Sequence, residues 1–126
     1  MNDAVGYIRC SHMDAPAMTR SIAIQGERIR LIAAMRFLRL HRVFIDVEAN
    51  SSSLTERDRM LSAVTWDQID VVIVATKSRL ARIDSDYFRI LGKLEALGIE
   101  FLCADEEREA LMQACGEARN TLLAPF

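Results

Sequence analysis

The chain has 126 residues, 51% of them hydrophobic and 27% charged, with a formal net charge of −2; this is the make-up of one globular domain large enough for a real core. No apolar run approaches the roughly 18 residues needed to span a bilayer, and Met1-Asn2-Asp3 lacks the basic flank and apolar stretch of a signal peptide, so a cytoplasmic location with no membrane partner is expected. Cys10, Cys103 and Cys115 form no C-x-x-C pair, and His12 and His41 form no ligand pattern with a carboxylate, so neither a disulfide framework nor a metal site is expected.

Residues 4–9 read as a short strand, and a turn-rich stretch from Ser11 through Pro16 to Thr19 follows. From Ser21 to about Leu40 the spacing predicts a helix capped by Ser21 or Thr19, with Ile22, Ile29, Ile32 and Met35 near one face. Val43 to Asp46 reads as a second strand, residues 49–53 as a flexible loop, and Glu56 to Val64 as a short helix. Residues 70–76 form the clearest strand, an unbroken β-branched run suited to burial on both faces of a parallel sheet. Ile83 to Leu97 reads as a helix ended by Gly98, and Ile99 to Cys103 as a fourth strand. Residues 106–123 can form an amphipathic helix with Leu111, Cys115, Ala118 and Leu122 on one side, despite Gly116 in its interior.

Strands alternating with helices imply one α/β domain with a mostly parallel sheet of four to five strands, with working residues gathered at its carboxyl edge. Charge is unevenly spread. Six arginines and one acid, Glu27, lie between Arg20 and Arg42, whereas four acids and one base, Arg108, lie between Asp105 and Glu109. Fourteen of the 16 basic residues are arginine, whose planar fork grips phosphate oxygens in pairs; a GC-rich coding sequence would produce the same bias.

Three segments should reach the carboxyl edge. In the first, strand alternation puts Tyr7, Arg9 and Ser11 on one side and Ile8 and Cys10 on the other. A hydroxyl just past a strand and beside an arginine suits a nucleophile that meets an anion, although serine there is also a common turn former. In the second, Arg79 and Arg82 are three apart, so one helical turn would align two guanidinium groups to hold a phosphodiester; a solvated basic turn fits that segment equally well alone. The third offers Arg57 after a polar loop. Tyr7 suits ring packing beside the sheet as well as a supporting role, and Gln25 reads also as a polar residue at a helix boundary. Asp46, at a strand end, invites comparison with the phosphoacceptor of receiver domains, but those carry it on the third strand with an acidic pair after the first, and this chain has neither feature.

The order Tyr7-x-Arg9-x-Ser11, then Gln25 in the following helix, then Arg57 after a serine-rich loop, then Ser78-Arg79-Leu80-Ala81-Arg82, resembles the serine recombinase family of resolvases and invertases from about Ala4 to Asp105. Tyr-x-Arg-x-Ser alone is short enough to arise by chance; its agreement in order and spacing with the later arginines is the specific part. The resemblance implies a three-layer, resolvase-like catalytic domain that cuts and rejoins DNA through a 5′-phosphoserine intermediate. Ser11 matches the nucleophile, and Arg9, Arg57, Arg79 and Arg82 match the arginines that surround the phosphate. Tyr7, Gln25 and Ser78 match supporting positions, the last being Asp in many family members. No cofactor, metal or histidine base is implied.

The family continues with a long dimerising helix and a separate DNA-binding domain, whereas residues 106–126 read as a short acidic helix and tail. DNA binding by this chain is therefore expected to be weak and sequence-blind, with a homodimer as the expected assembly. An alternative is a non-catalytic, recombinase-like interaction protein that pairs with a full-length recombinase and regulates it.

Overall fold

A computed structural model describes residues 2–48 and 54–123, with 118–123 as backbone only. The chain runs β1 (Asp3–Ser11), α1 (Ala15–Met35), β2 (Arg39–Glu48), α2 (Thr55–Trp66), β3 (Val71–Val74), α3 (Lys77–Leu80), α4 (Asp84–Ala96), β4 (Glu100–Cys103) and α5 (Ala104–Leu123). The four strands form one sheet in the order β2-β1-β3-β4, and every neighbouring pair is parallel. β1 and β3 are central and covered on both faces, which is why their sequences are nearly unbroken apolar runs.

Two cores result. Val5, Tyr7, Val72 and Val74 meet Met60, Leu61 and Val64 of α2 and Ile90 and Leu94 of α4 on one face. Ala4, Ile8, Val71 and Ile73 meet Ile29, Ile32 and Ala33 of α1 on the other, with Ala104 of α5 completing that cluster. This three-layer arrangement is the one expected. Gly6 lets α1 come close to β1, because a Cβ there would lie 2.9 Å from Ile29 Cγ2.

Several boundaries differ from the sequence reading. α1 begins at Ala15 because Asp14 caps it, its carboxylate accepting from Ala17 N at 2.9 Å, with Pro16 in the first turn. Thr19 and Ser21 lie inside the helix, and the Thr19 hydroxyl donates back to Ala15 O. α1 stops at Met35, and Arg39 and Leu40 belong to β2, which pairs with β1 along its whole length with one bulge between Ala4 and Val5. α3 is an additional short helix. Met35 is 38% exposed and Cys115 is exposed, so neither is a core residue, whereas Cys10 and Cys103 are buried. The loop expected at 49–53 and the α5 residues Ala118 and Leu122 fall outside the residues whose side chains are described.

The basic stretch and the acidic stretch find each other. Arg28 pairs with Asp105 (3.3 Å) and Arg36 with Glu107 (3.0 Å) and Glu100 (3.2 Å), so Arg28 of α1 and Arg36 just beyond it face the start of α5 and the start of β4. Arg39 and Arg42 pair with Asp3 and Glu56. Much of the apparent basic gradient is thus neutralised within the domain. No helix among the described residues is long and apolar enough to cross a membrane.

α1 and α4 end in the same way. Ile99 N donates to Leu94 O and Gly98 N to Glu95 O, with Gly98 at φ 72°. Leu38 N donates to Ala33 O and Phe37 N to Ala34 O, with Phe37 at φ 54°. Both are six-to-one C-terminal turns that need a left-handed residue, and only α4 supplies glycine. A side chain in that conformation costs about 1–2 kcal/mol, and Phe37 is 78% exposed, so its ring recovers little by packing. Phe37→Gly is therefore expected to stabilise the domain by about 1 kcal/mol, read as a rise of about 4 °C in Tm; a fall would show that the ring has a packing role.

Candidate active site

Because all four strands are parallel, Ser11, Glu48 and the segments after Val74 and Cys103 emerge at one edge. Ser11 is the last residue of β1, and the alternation that sends Val5 and Tyr7 toward α2 and α4 places Arg9 on the same side. Arg9 is buried, with its side chain only 3% exposed. Its Nε donates to Arg79 O at 3.3 Å and its Nη2 to Ser78 O, so two carbonyls of α3 fix the guanidinium. Its Nη1 donates to Glu48 Oε2 at 2.9 Å.

The same carboxylate oxygen lies 2.5 Å from Arg82 Nη2, which in turn donates to Ser11 Oγ at 2.9 Å. Arg57, also buried, donates from Nη1 to Leu80 O at 3.0 Å and pairs with Asp86 Oδ2 at 3.0 Å, while its Nε has no partner. Arg9, Arg57 and Arg82 line one cavity of about 410 Å³, together with Glu48, Asp58 and Asp86. Three of the four arginines singled out from sequence therefore line one cavity, and Arg82 among them bonds Ser11.

Arg79 is placed differently. Its Nη1 donates to Arg9 O at 3.1 Å, and its side chain lines a separate cavity beside Gln25 and Arg28. The alignment of Arg79 with Arg82 on one helical face does not occur: α3 ends at Leu80, Ala81 is extended (φ −158°, ψ 142°), and Arg82 lies beyond it. Ser78 contributes its carbonyl to Arg9, and its hydroxyl lies 3.1 Å from Thr76 Oγ1. Gln25 donates from Nε2 to Arg9 O and to Ser21 Oγ, both at 3.1 Å, so it ties α1 to the end of β1; its Oε1 is buried without a partner.

Two residues of the site were not among the sequence candidates for it. Asp46 accepts from Tyr7 Oη (2.7 Å), Glu56 N (3.0 Å) and Arg57 N (2.9 Å). α2 has no side-chain cap of its own at Leu54, and Asp46 supplies that function from the neighbouring strand. Glu48 is the other, and its position two residues after Asp46 on the same strand was the available signal. Burial, followed by the hydrogen bond to Asp46, pushes the Tyr7 phenol well above its usual ionisation range.

An all-parallel sheet that presents a serine and converging arginines at its carboxyl edge has the architecture of a serine recombinase catalytic domain. The sequence matches the family described as Resolvase, N terminal domain, over residues 4–124, and the chain belongs to that family. The match continues through α5, past Asp105 where the motif resemblance ends. Among solved structures, the N-terminal catalytic domain of TP901-1 integrase superposes with TM-score 0.73 at 18% identity, covering 96% of this chain and 98% of that one. A resolvase family site-specific recombinase from Streptococcus pneumoniae gives 0.71 at 18% identity, with 98% and 91% covered. The C-terminal catalytic domain of ISC1926 TnpA, an IS607-like serine recombinase, gives 0.68 at 18%, with 95% and 84% covered. At such identities the likeness speaks for the fold. No curated protein matches the sequence.

The raised Tyr7 ionisation has a testable consequence. The fold keeps the phenol protonated while an unfolded chain loses that proton near pH 10, so the stability contributed by Tyr7 is full below pH 10 and declines as pH rises beyond it. Chemical denaturation between pH 8 and 11 should show that decline. Tyr7→Phe should remove the part of the slope that sets in near pH 10, while Tyr87, Cys10 and Cys103, all pushed up by burial, and Lys77, held up by Glu106, supply the remainder. An unchanged slope in Tyr7→Phe would refute the assignment.

Proposed function

We propose that this chain is a DNA strand-cleaving and rejoining domain that uses Ser11 as nucleophile. The observation that carries the proposal is the hydrogen bond from Arg82 Nη2 to Ser11 Oγ at 2.9 Å, beside a cavity lined by Arg9 and Arg57. Family membership supports this reaction class. Ser11 Oγ attacks a backbone phosphorus, a bond from Oγ to phosphorus forms, and the bond from phosphorus to the 3′ oxygen breaks. The serine proton is lost and the departing 3′ oxygen gains one. The 5′ end stays attached to Ser11, and attack by a 3′ hydroxyl reverses the step, so rejoining needs no external energy source.

The arginines act as fixed positive charge. A guanidinium keeps its proton at any working pH, so Arg82 does not take the serine proton; it holds Oγ and favours the developing alkoxide. Arg9 and Arg57, clamped by main-chain carbonyls, present charge to the non-bridging oxygens. Arg79 supports the end of β1 through Arg9 O and enters the reaction only if α3 rearranges. DNA is the partner on this reading, held weakly and without sequence preference through its phosphates.

The test fuses the whole chain to a programmable DNA-binding module and offers paired target sites flanking a recombinase-like core. Denaturing gels should show protein attached to 5′ DNA ends. Ser11→Ala should abolish the adduct, and Arg82→Ala should slow its formation at least about 100-fold. Absence of adduct from the unaltered chain would favour the second reading, a recombinase-like interaction protein.

A second copy of the chain, or a full-length recombinase, is proposed to pair through α5, where Leu111 and Met112 are 42% and 61% exposed. Sedimentation at high micromolar concentration should give a dimer, and a strict monomer would refute self-association.

A further inference from the structure

The cavity beside Ser11 already contains an anion that belongs to the chain. Glu48 Oε2 accepts from Arg9 Nη1 at 2.9 Å and lies 2.5 Å from Arg82 Nη2, the same nitrogen that donates to Ser11 Oγ. Its side chain is only 11% exposed, so the carboxylate is seated between the two guanidinium groups. A planar carboxylate and a phosphate face make the same charge-assisted bonds to guanidinium donors. We propose that Glu48 is a built-in competitor for the scissile phosphate: it occupies the seat between Arg9 and Arg82 in the free domain and must be displaced when a phosphodiester enters. The inference rests on the reading of this cavity as a phosphodiester site.

Three features argue that Glu48 does more than hold Arg9 in place. Arg9 is already fixed by the Arg79 and Ser78 carbonyls, so its orientation survives without the carboxylate. Arg82 is 57% exposed, and its described partners are Glu48 and Ser11 alone, so release of Glu48 frees it for an incoming anion. The cavity's three arginines, with Arg57 taken up by Asp86, face three carboxylates: Glu48, Asp58 and Asp86. A lining balanced to no net charge attracts an anion poorly, and loss of one carboxylate makes it cationic. Glu48 is the one of the three that touches the arginine bonded to Ser11.

Glu48→Gln keeps the shape and an acceptor oxygen but removes the charge. Inorganic phosphate would be titrated into the unaltered chain and its Glu48→Gln variant, with binding followed through the Nε–H resonances of Arg9 and Arg82. The variant should bind phosphate at least about tenfold more tightly, equivalent to about 1.4 kcal/mol. A residue that merely supported Arg9 would give the opposite sign, because its loss would loosen the site. Equal or weaker binding by the folded variant overturns the competitor role and leaves the phosphodiester site standing. Binding by neither protein overturns both. A crystal structure of the wild-type chain with phosphate supplies a test independent of the variant's folding. Phosphate between Arg9 and Arg82 with Glu48 turned away supports the proposal, and phosphate bound beside an intact Glu48–Arg82 pair overturns it.

Discussion

The Asp46 carboxylate is the joint on which the site depends. It is buried near the end of β2 and takes three donors from two elements: the Tyr7 phenol of β1 and the Glu56 and Arg57 amides of α2. A buried carboxylate stripped of such partners costs several kcal/mol, so the three are bound to appear together or not at all. The amides are among those that the first turn of a helix leaves unpaired, and the negative charge meets the positive end of the α2 dipole. The link orients α2 from its first turn and thereby sets where the Arg57 side chain enters the cavity.

Around that joint the arginines divide into two kinds. Arg9 and Arg57 are buried and tied to main-chain carbonyls of the segment from Ser78 to Leu80, so their positions are properties of the fold. Arg82, largely exposed, is held by side chains alone. Arginine suits both settings, because its charge is permanent and its several donors let one group satisfy structure and ligand together. The cost of burying two cations is offset by carbonyls and by Glu48 and Asp86, and that same compensation lowers the field an approaching anion would meet.

Much of the fold was legible because parallel sheets write themselves plainly. The runs at residues 4–8 and 71–74 are apolar on both faces, Gly98 marks the end of α4, and the period of α1 places Ile29 and Ile32 inward. The boundaries that moved did so for local reasons: Asp14 capped α1 earlier than Ser21, and an unmarked turn at Phe37 ended it before Leu40. Within the site, alternation located Tyr7, Arg9 and Ser11 correctly. The three-residue spacing of Arg79 and Arg82 misled because a single extended residue, Ala81, separates them. Glu48 and Asp46 went unassigned because a carboxylate's partners come from distant parts of the chain, and no periodicity reports a contact between residue 48 and residue 82.

The placement of β1 bears on how the molecule comes to exist. This strand lies at the centre of the sheet, yet its partners arrive late: Ala4 pairs with Leu40 on one side and with Val71 on the other. During synthesis the apolar segment from Ala4 to Ile8 therefore leaves the ribosome ahead of both partner strands and waits until Val74 has followed before both its edges can be covered. Long-range parallel pairing of this kind is slow, and the unpaired strand is open to association in the interval. Protection of that unpaired strand in the nascent chain therefore bears on the yield of folded protein, a demand separate from the final stability of the domain.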